Sequence, residues 1–290
     1  MIFVERHNCI ACLSSASRSV SSGFFGDEPL HSFIANDPWG ENPMPLIERE
    51  RWDFRECSAC GQRWHGRVLS PHWNDIRFSK WMSAEAIRQF EAEHGGNQDA
   101  TRDVQHVLRL KELGVTRILD FGCGFGEFLA MSHLFGIEAV GVDRSIGRRS
   151  GADVQVYAEL DEAPGQFDAI TMFEVLEHLD DPLATLLNLK SRLNPGGTMV
   201  VEVPDTSGVD EITDRDSYCK IHPLDHINAF TPKSLVSIMK QAGFSPLPKG
   251  AAFVTTSLRR VAKDIAKARF KQRSTQRYFT LVHSVSGEEH

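Results

Sequence analysis

The chain has 290 residues, with 32 Lys and Arg against 39 Asp and Glu, a formal net charge of −7 and 41% hydrophobic residues. That mixture excludes disordered, collagen-like and disulfide-scaffold classes, and the length suggests two folded units or one α/β domain with an appendage. The acidic balance gives nucleic acid no global attraction, so such a partner would need a local basic patch. No window reaches the roughly 18 apolar residues that cross a bilayer, and MIFVERHNCIAC lacks the layout of a secretory signal, so the expected location is the cytoplasm.

All five tryptophans lie at or before Trp81, together with Cys9-x-x-Cys12, Cys57-x-x-Cys60 and the Pro/Gly-rich NDPWGENPMP. Residues 1–82 are therefore read as a unit of their own. Each C-x-x-C pair offers two thiolates, and four thiolates make a closed tetrahedral zinc site with no vacancy for chemistry. The pairs stand further apart than the usual ribbon loop of about 15 to 20 residues. A redox reading needs a C-x-x-C beside a βαβ unit, which neither pair has. Cys9, Cys12, Cys57 and Cys60 are thus candidate ligands of a structural zinc, and losing the ion should unfold this unit.

From Ser83 the pattern changes. AEAIRQFEAE reads as a helix, HGGNQ breaks it, and ATRDVQHVLRLKEL resumes it with Val104, Val107, Leu108 and Leu110 near a 3.6 period. The runs VTRILDFG, IEAVGVD, FDAITMF and GTMVVEVP then read as buried parallel strands, with EFLAMSHLF and DPLATLLNLKSRL as helices between them. Such alternation predicts right-handed crossovers and a doubly wound α/β sheet. The stretch from Thr206 to Phe230 reads as irregular. A last helix, TPKSLVSIMKQAG, carries Thr231 as N-cap, Pro232 in the first turn and Gly243 at its end.

The first of these strands ends in Asp120-Phe121-Gly122-Cys123-Gly124-Phe125-Gly126 and runs into a helix. Alternate glycines allow a tight turn and a close backbone approach by a ligand. The spacing differs from the G-x-G-x-x-G that seats a pyrophosphate, and an acid at the entrance suits a cation better than a phosphate. Asp143, ending the second strand, is placed to hold ribose hydroxyls. A ribose, a positive centre and no phosphate describe S-adenosylmethionine.

With LDFGCGFGEFL, VGVD, FDAITMFEVLEHLDDP and LNPGGTMVVEVP in that order, residues from about 100 to 245 resemble a class I S-adenosylmethionine-dependent methyltransferase of the small-molecule type. The resemblance implies a mostly parallel, seven-stranded Rossmann-like sheet beside the N-terminal zinc-knuckle module. The domain would span 83–248, and 249–290 would add a basic helix and a final strand completing the sheet. It also implies that Gly122, Gly124 and Gly126 line the methionine and ribose, with Asp120 near the amino group. Asp143 would take the ribose, and Phe173 and Glu174 would border the methyl. Glu159 is the candidate adenine contact.

Methyl transfer from a sulfonium is an in-line displacement, in which the protein aligns the acceptor and removes its proton where it has one. His178, His222 and His226 can serve as bases. His178 fits a capping or packing role. His222 and His226 follow the last parallel strand, and D-H-I-N-A-F-T resembles the E-H-x-x-Y-F/Y-S stretch of methyltransferases acting on nucleotide-linked deoxysugars. There the histidine is the base, matching His226, with Asp225 as the acid before it; a tyrosine of that family is replaced by Pro223. His226 is the expected base, Asp225 its orienting partner and His222 the second candidate. Related sugar methyltransferases also carry an N-terminal zinc module.

Residues 249–277 hold nine Lys/Arg against Asp264 alone, and Leu258, Val261, Ile265 and Ala268 make a narrow apolar stripe, the pattern of an amphipathic helix. Such a face can be merely solvated, or can clamp an anionic acceptor, RNA or a membrane surface. The expected activity is methyl transfer to a small, sugar-like acceptor. An RNA methyltransferase and a catalytically inactive zinc-bearing binding protein are the alternatives.

Overall fold

The computed structural model describes residues 1–37, 40–94, 100–149, 154–247 and 277–281. Its main sheet has seven strands. From one edge to the other they are Phe244–Pro246, Arg277–Leu281, Leu193–Glu202, Phe167–Phe173, Arg117–Phe121, Glu138–Val142 and Val156–Tyr157. The last five in this order run parallel, while Arg277–Leu281 pairs antiparallel with both its neighbours. Strand order reverses between Arg117–Phe121 and Phe167–Phe173, so the chain opens a crevice at their carboxyl ends.

The strands are apolar on both faces because helices cover both. Leu119, Val140, Ile170, Met172, Met199 and Val201 face one way, against Leu186 and Leu189 of Pro182–Lys190 and Leu235, Ile238 and Met239 of Pro232–Gln241. Their chain neighbours Ile118, Ala139, Ala169 and Val200 face the other, against Val107 and Leu110 of Ala100–Glu112 and Phe128 and Leu129 of Glu127–Leu134. Period-two alternation sorts these residues to the two faces. Thr231 accepts the Ser234 amide at 3.2 Å and so caps the last helix, with Pro232 following and Gly243 at φ +89° beyond its end.

The boundary at residue 82 separates two compositions rather than two cores. Ser17–Phe24, Arg51–Cys57 and Arg63–His65 form an antiparallel sheet whose fourth strand, Asn228–Ala229, comes from the later segment read as irregular. Phe25, Leu30, Ile34, Trp52, Phe54 and Trp81 build a substantial core here, completed by Ile212, Tyr218, Ile221 and Leu224. Cys9, Cys57 and Trp64 pack into the same cluster as Leu119 and Phe230. Arg6 adds a clamp, donating to the carbonyls of Ile227 at 3.3 Å and Asp180 at 3.0 Å and to Asn228 Oδ1 at 2.9 Å.

The helix Arg215–Lys220 escapes sequence reading because it is short; Asp214 caps it, its side chain accepting the Ser217 amide at 2.8 Å. The amphipathic helix expected within 249–277 lies outside the described residues, as does its apolar stripe. Among the described residues no helix is long and apolar enough to cross a membrane.

Candidate functional site

The glycine loop sits at the reversal of the sheet. Gly122, Gly124 and Gly126 have φ of +78°, +58° and +85°, all in the left-handed region where a side chain is strained. Behind the loop, Asp143 accepts the Gly124 amide at 2.9 Å through Oδ2 and the Ser145 amide at 2.8 Å through Oδ1. In front lies a cavity of about 250 Å³ whose lining includes Asp120, Gly122, Gly124, Phe173 and Glu174. Gly126 and Asp143 are not in that lining: the first caps the helix Glu127–Leu134 and the second braces the loop. Glu159 opens a short turn elsewhere.

Sequence reasoning missed part of the wall. Ile87, Arg102, Phe128 and Arg148 also line the cavity. The Arg102 guanidinium lies 5.2 Å from the Phe173 ring centre and pairs with Asp103 at 2.9 Å. Only the fold brings helices from residues 84–94 and 100–112 to this point, and helical periodicity cannot announce that. Glu174 has φ +55°, an uncommon conformation for a residue with a side chain, held by its amide bonding to the Glu202 carbonyl at 2.9 Å. Strain of this kind concentrates at functional sites.

Asp120 is buried and accepts a hydrogen bond from Thr171 Oγ1 at 2.6 Å across the strand reversal. Burial, reinforced by Asp103, outweighs that bond and pushes its carboxyl up to about 7. Unfolded Asp120 ionises near its ordinary 3.8, so its contribution to stability is complete below that value and is lost as pH rises toward 7. Tm of the ligand-free chain should therefore decline across this interval, and Asp120→Asn should flatten the decline. A cation bound beside Asp120 should release a proton near neutrality, read by calorimetry in buffers of different ionisation enthalpy; no proton release would show that Asp120 does not face the ligand's charge.

One turn beyond Glu174 the histidines converge. His178 Nδ1 lies 3.0 Å from Asp225 Oδ1, an oxygen that Arg77 also engages, and the His178 and His226 rings are 4.9 Å apart. Burial alone would lower the His178 pKa, but Asp225 raises it to about 9. Burial and the charge on His178 push His226 down to about 3, so His226 stays neutral. Although burial opposes it, His178 and Arg77 hold the Asp225 carboxyl well below its usual range. Burial, with Glu174 adding repulsion, raises Glu177 despite the counteracting His178.

Asp225, expected to orient His226, thus holds His178 instead, with His226 Nε2 4.0 Å from its second oxygen. His178 caps no helix; it occupies the centre of the cluster. His222 is spent elsewhere. Its Nε2 lies 2.6 Å from Tyr218 Oη and 3.2 Å from Asp37 Oδ2, and its Nδ1 accepts the Leu224 amide at 3.1 Å. Ligand atoms of Glu177, His178 and His226 lie within 4.8 Å of one another, close enough to converge on a cation or on one polar group of an acceptor.

Across the molecule the four cysteines also converge. Cys9 and Cys60 sulfurs are 3.6 Å apart and those of Cys12 and Cys57 3.5 Å, all four within 4.8 Å. A tetrahedron with Zn–S bonds of about 2.3 Å has edges of about 3.8 Å, so the set fits the ion. Burial disfavours the Cys57 thiolate, yet the amides of Cys60 and Ala59 pull its pKa down to about 7.

The family model for a methyltransferase domain matches residues 88–249, more than half of the chain. A ubiquinone biosynthesis O-methyltransferase of Dinoroseobacter shibae is 33% identical over 181 residues, covering 56% of this chain and 69% of that protein. One of Xanthomonas campestris pv. campestris is 35% identical over 97 residues, and the match spans 29% of this chain and only 41% of that relative's length. The sugar N-methyltransferase KedS8 of a Streptoalloteichus species, a solved structure, overlaps with a TM-score of 0.47 at 14% identity, covering 67% of this chain and 92% of that one. With a glycine loop, its bracing carboxylate and a parallel sheet that reverses at the cavity, the chain belongs to the methyltransferase-domain family and is a class I S-adenosylmethionine-dependent methyltransferase.

Proposed function

We propose that the chain transfers the methyl group of S-adenosylmethionine to a hydroxyl of a small acceptor, with His226 as the base. One observation carries this reading. Among the described residues, Nδ1 of His226 is buried without a hydrogen-bond partner. An orphaned buried polar atom is costly unless a ligand pairs with it, and the ring that carries this one has a nitrogen within 4.8 Å of a ligand atom of Glu177, one turn along the chain from Glu174, which lines the cofactor cavity. An acceptor hydroxyl donating to His226 Nδ1 would satisfy the histidine and give up its proton there as the C–O bond forms.

Asp120 and Arg102 would take the charged amino and carboxylate ends of the cofactor's methionine, Asp143 its ribose, and Phe173 and Glu174 the rim around the methyl. The name of the relatives favours an oxygen acceptor. The D-H-I-N-A-F-T stretch makes a sugar or nucleotide-linked sugar the first class to test. We further assign a structural zinc to Cys9, Cys12, Cys57 and Cys60; four free thiols suit a cytoplasmic location, where they stay reduced.

Incubation of the folded protein with methyl-labelled cofactor and panels of sugars, nucleotide sugars and phenols, followed by mass spectrometry, should return a labelled ether. Binding of the cofactor without any labelled product from these classes would overturn the acceptor reading. With the acceptor so found, His226→Ala should leave cofactor affinity nearly unchanged and slow turnover by about 100-fold or more. Full activity would remove His226 from the role of base.

A further inference from the structure

Arg77 lies in the tryptophan-rich part of the chain, far in sequence from the methyltransferase motifs, yet its side chain ends among the histidines. It sits on a turn of π-helix, Arg77–Trp81, a geometry recurrent at functional sites. The turn is fixed at both ends. Trp81 is buried in the N-terminal core and its carbonyl accepts the Gly40 amide at 2.5 Å; the Met82 amide returns to the Arg77 carbonyl at 2.7 Å. The Arg77 guanidinium lies 4.2 Å from the Phe78 ring centre, and its Nε donates to Asn74 Oδ1 at 3.1 Å. Its terminal nitrogen engages Asp225 Oδ1, the same oxygen that faces His178 Nδ1 at 3.0 Å.

An arginine side chain only 2% exposed costs much desolvation, and well-packed apolar side chains often replace such buried pairs without loss of stability. The contact therefore carries more than packing. Asp225 has two histidines within reach, His178 through one oxygen and His226 at 4.0 Å through the other. A guanidinium nitrogen held at Asp225 Oδ1 restricts how that carboxylate turns, and His178 faces the residue with Nδ1 3.0 Å from Oδ1 and 2.9 Å from the Asp225 carbonyl, its Nε2 lying 3.8 Å from Glu177. We propose that Arg77 is a positioning residue, through which the N-terminal unit sets the orientation of the His178 ring beside the acceptor site. The proposal rests on reading the histidine cluster as the reaction centre, but its test needs no acceptor.

The measurement is the two-bond proton–nitrogen correlation spectrum of the full chain labelled with 15N-histidine, where His178 is assigned by its loss in His178→Gln. Wild type should show His178 with both ring nitrogens protonated and in one sharp set of signals, as one ring orientation requires. Arg77→Gln, which removes the charge while keeping a polar side chain, should give broadened or multiple His178 signals from a ring with more than one orientation, as should Asp225→Asn. Arg77→Lys, which restores the charge on Asp225, should return the wild-type pattern. Calorimetry with S-adenosylhomocysteine checks that each variant keeps its cofactor site. An Arg77→Gln protein that binds S-adenosylhomocysteine normally and retains the wild-type His178 pattern overturns the proposal. So do broadened or multiple His178 signals in Arg77→Lys, the variant that applies if the glutamine protein does not fold. Failure of the base assignment would show instead as an active His226→Ala enzyme with these spectra unchanged.

Discussion

Gly122→Ala should abolish measurable binding of S-adenosylmethionine and lower folding stability by about 3 kcal/mol. Two costs add at this residue. Its φ of +78° is a left-handed conformation that costs a side-chain-bearing residue roughly 1–2 kcal/mol. A Cβ here would also run into the side chain of Val175, itself packed against the main core. Relief requires moving Val175, and its chain neighbour Glu174 forms the far rim of the cavity. Gly124 is the internal control: its φ is +58°, but nothing lies within 4 Å of an added Cβ. Gly124→Ala should therefore cost only about 1 kcal/mol. Chemical denaturation and calorimetry on both variants decide the matter; equal losses would mean that Val175 yields freely and that crowding contributes nothing.

Cys57→Ser should release the metal and bring down both halves of the chain in one transition. Structural zinc supplies on the order of 10 kcal/mol or more of folding free energy at neutral pH. Sequence alone confines the damage to residues 1–82. Packing extends it: Cys9, Cys57 and Trp64 share a cluster with Leu119, Ile170 and Phe230, and Asn228–Ala229 hydrogen-bonds to the strand at Trp64. Metal analysis of the wild type should find one zinc per chain. Scanning calorimetry of Cys57→Ser should show a lowered single transition and lost cofactor binding. A cofactor-binding protein that persists after metal removal would show that the sheet domain stands by itself.

How far the site could be read in advance depended on whether a residue's role is written in its neighbours along the chain. The loop from Asp120 to Gly126 could be read because strand, bend and helix are contiguous, and Thr231 with Pro232 marks a helix start by local chemistry alone. Arg102 and Arg77 are invisible for the opposite reason: each lies on a helical stretch and reaches its site only through tertiary packing. The histidines fall between. The resemblance of D-H-I-N-A-F-T points to His226 and pairs Asp225 with it, whereas the folded carboxylate turns to His178, 47 residues away. His222 looked equally open in sequence and proves to be tied to Asp37 across the chain.

The short strand Asn228–Ala229 also limits how the molecule can be divided. A truncated protein starting at residue 83 would strip this strand of its partner at Arg63 and Trp64, and would leave the Arg6 acceptors at Asp180, Ile227 and Asn228 without a donor. Grafting a foreign amino-terminal segment onto this catalytic half would have to rebuild that pairing register before it could alter which acceptor is admitted.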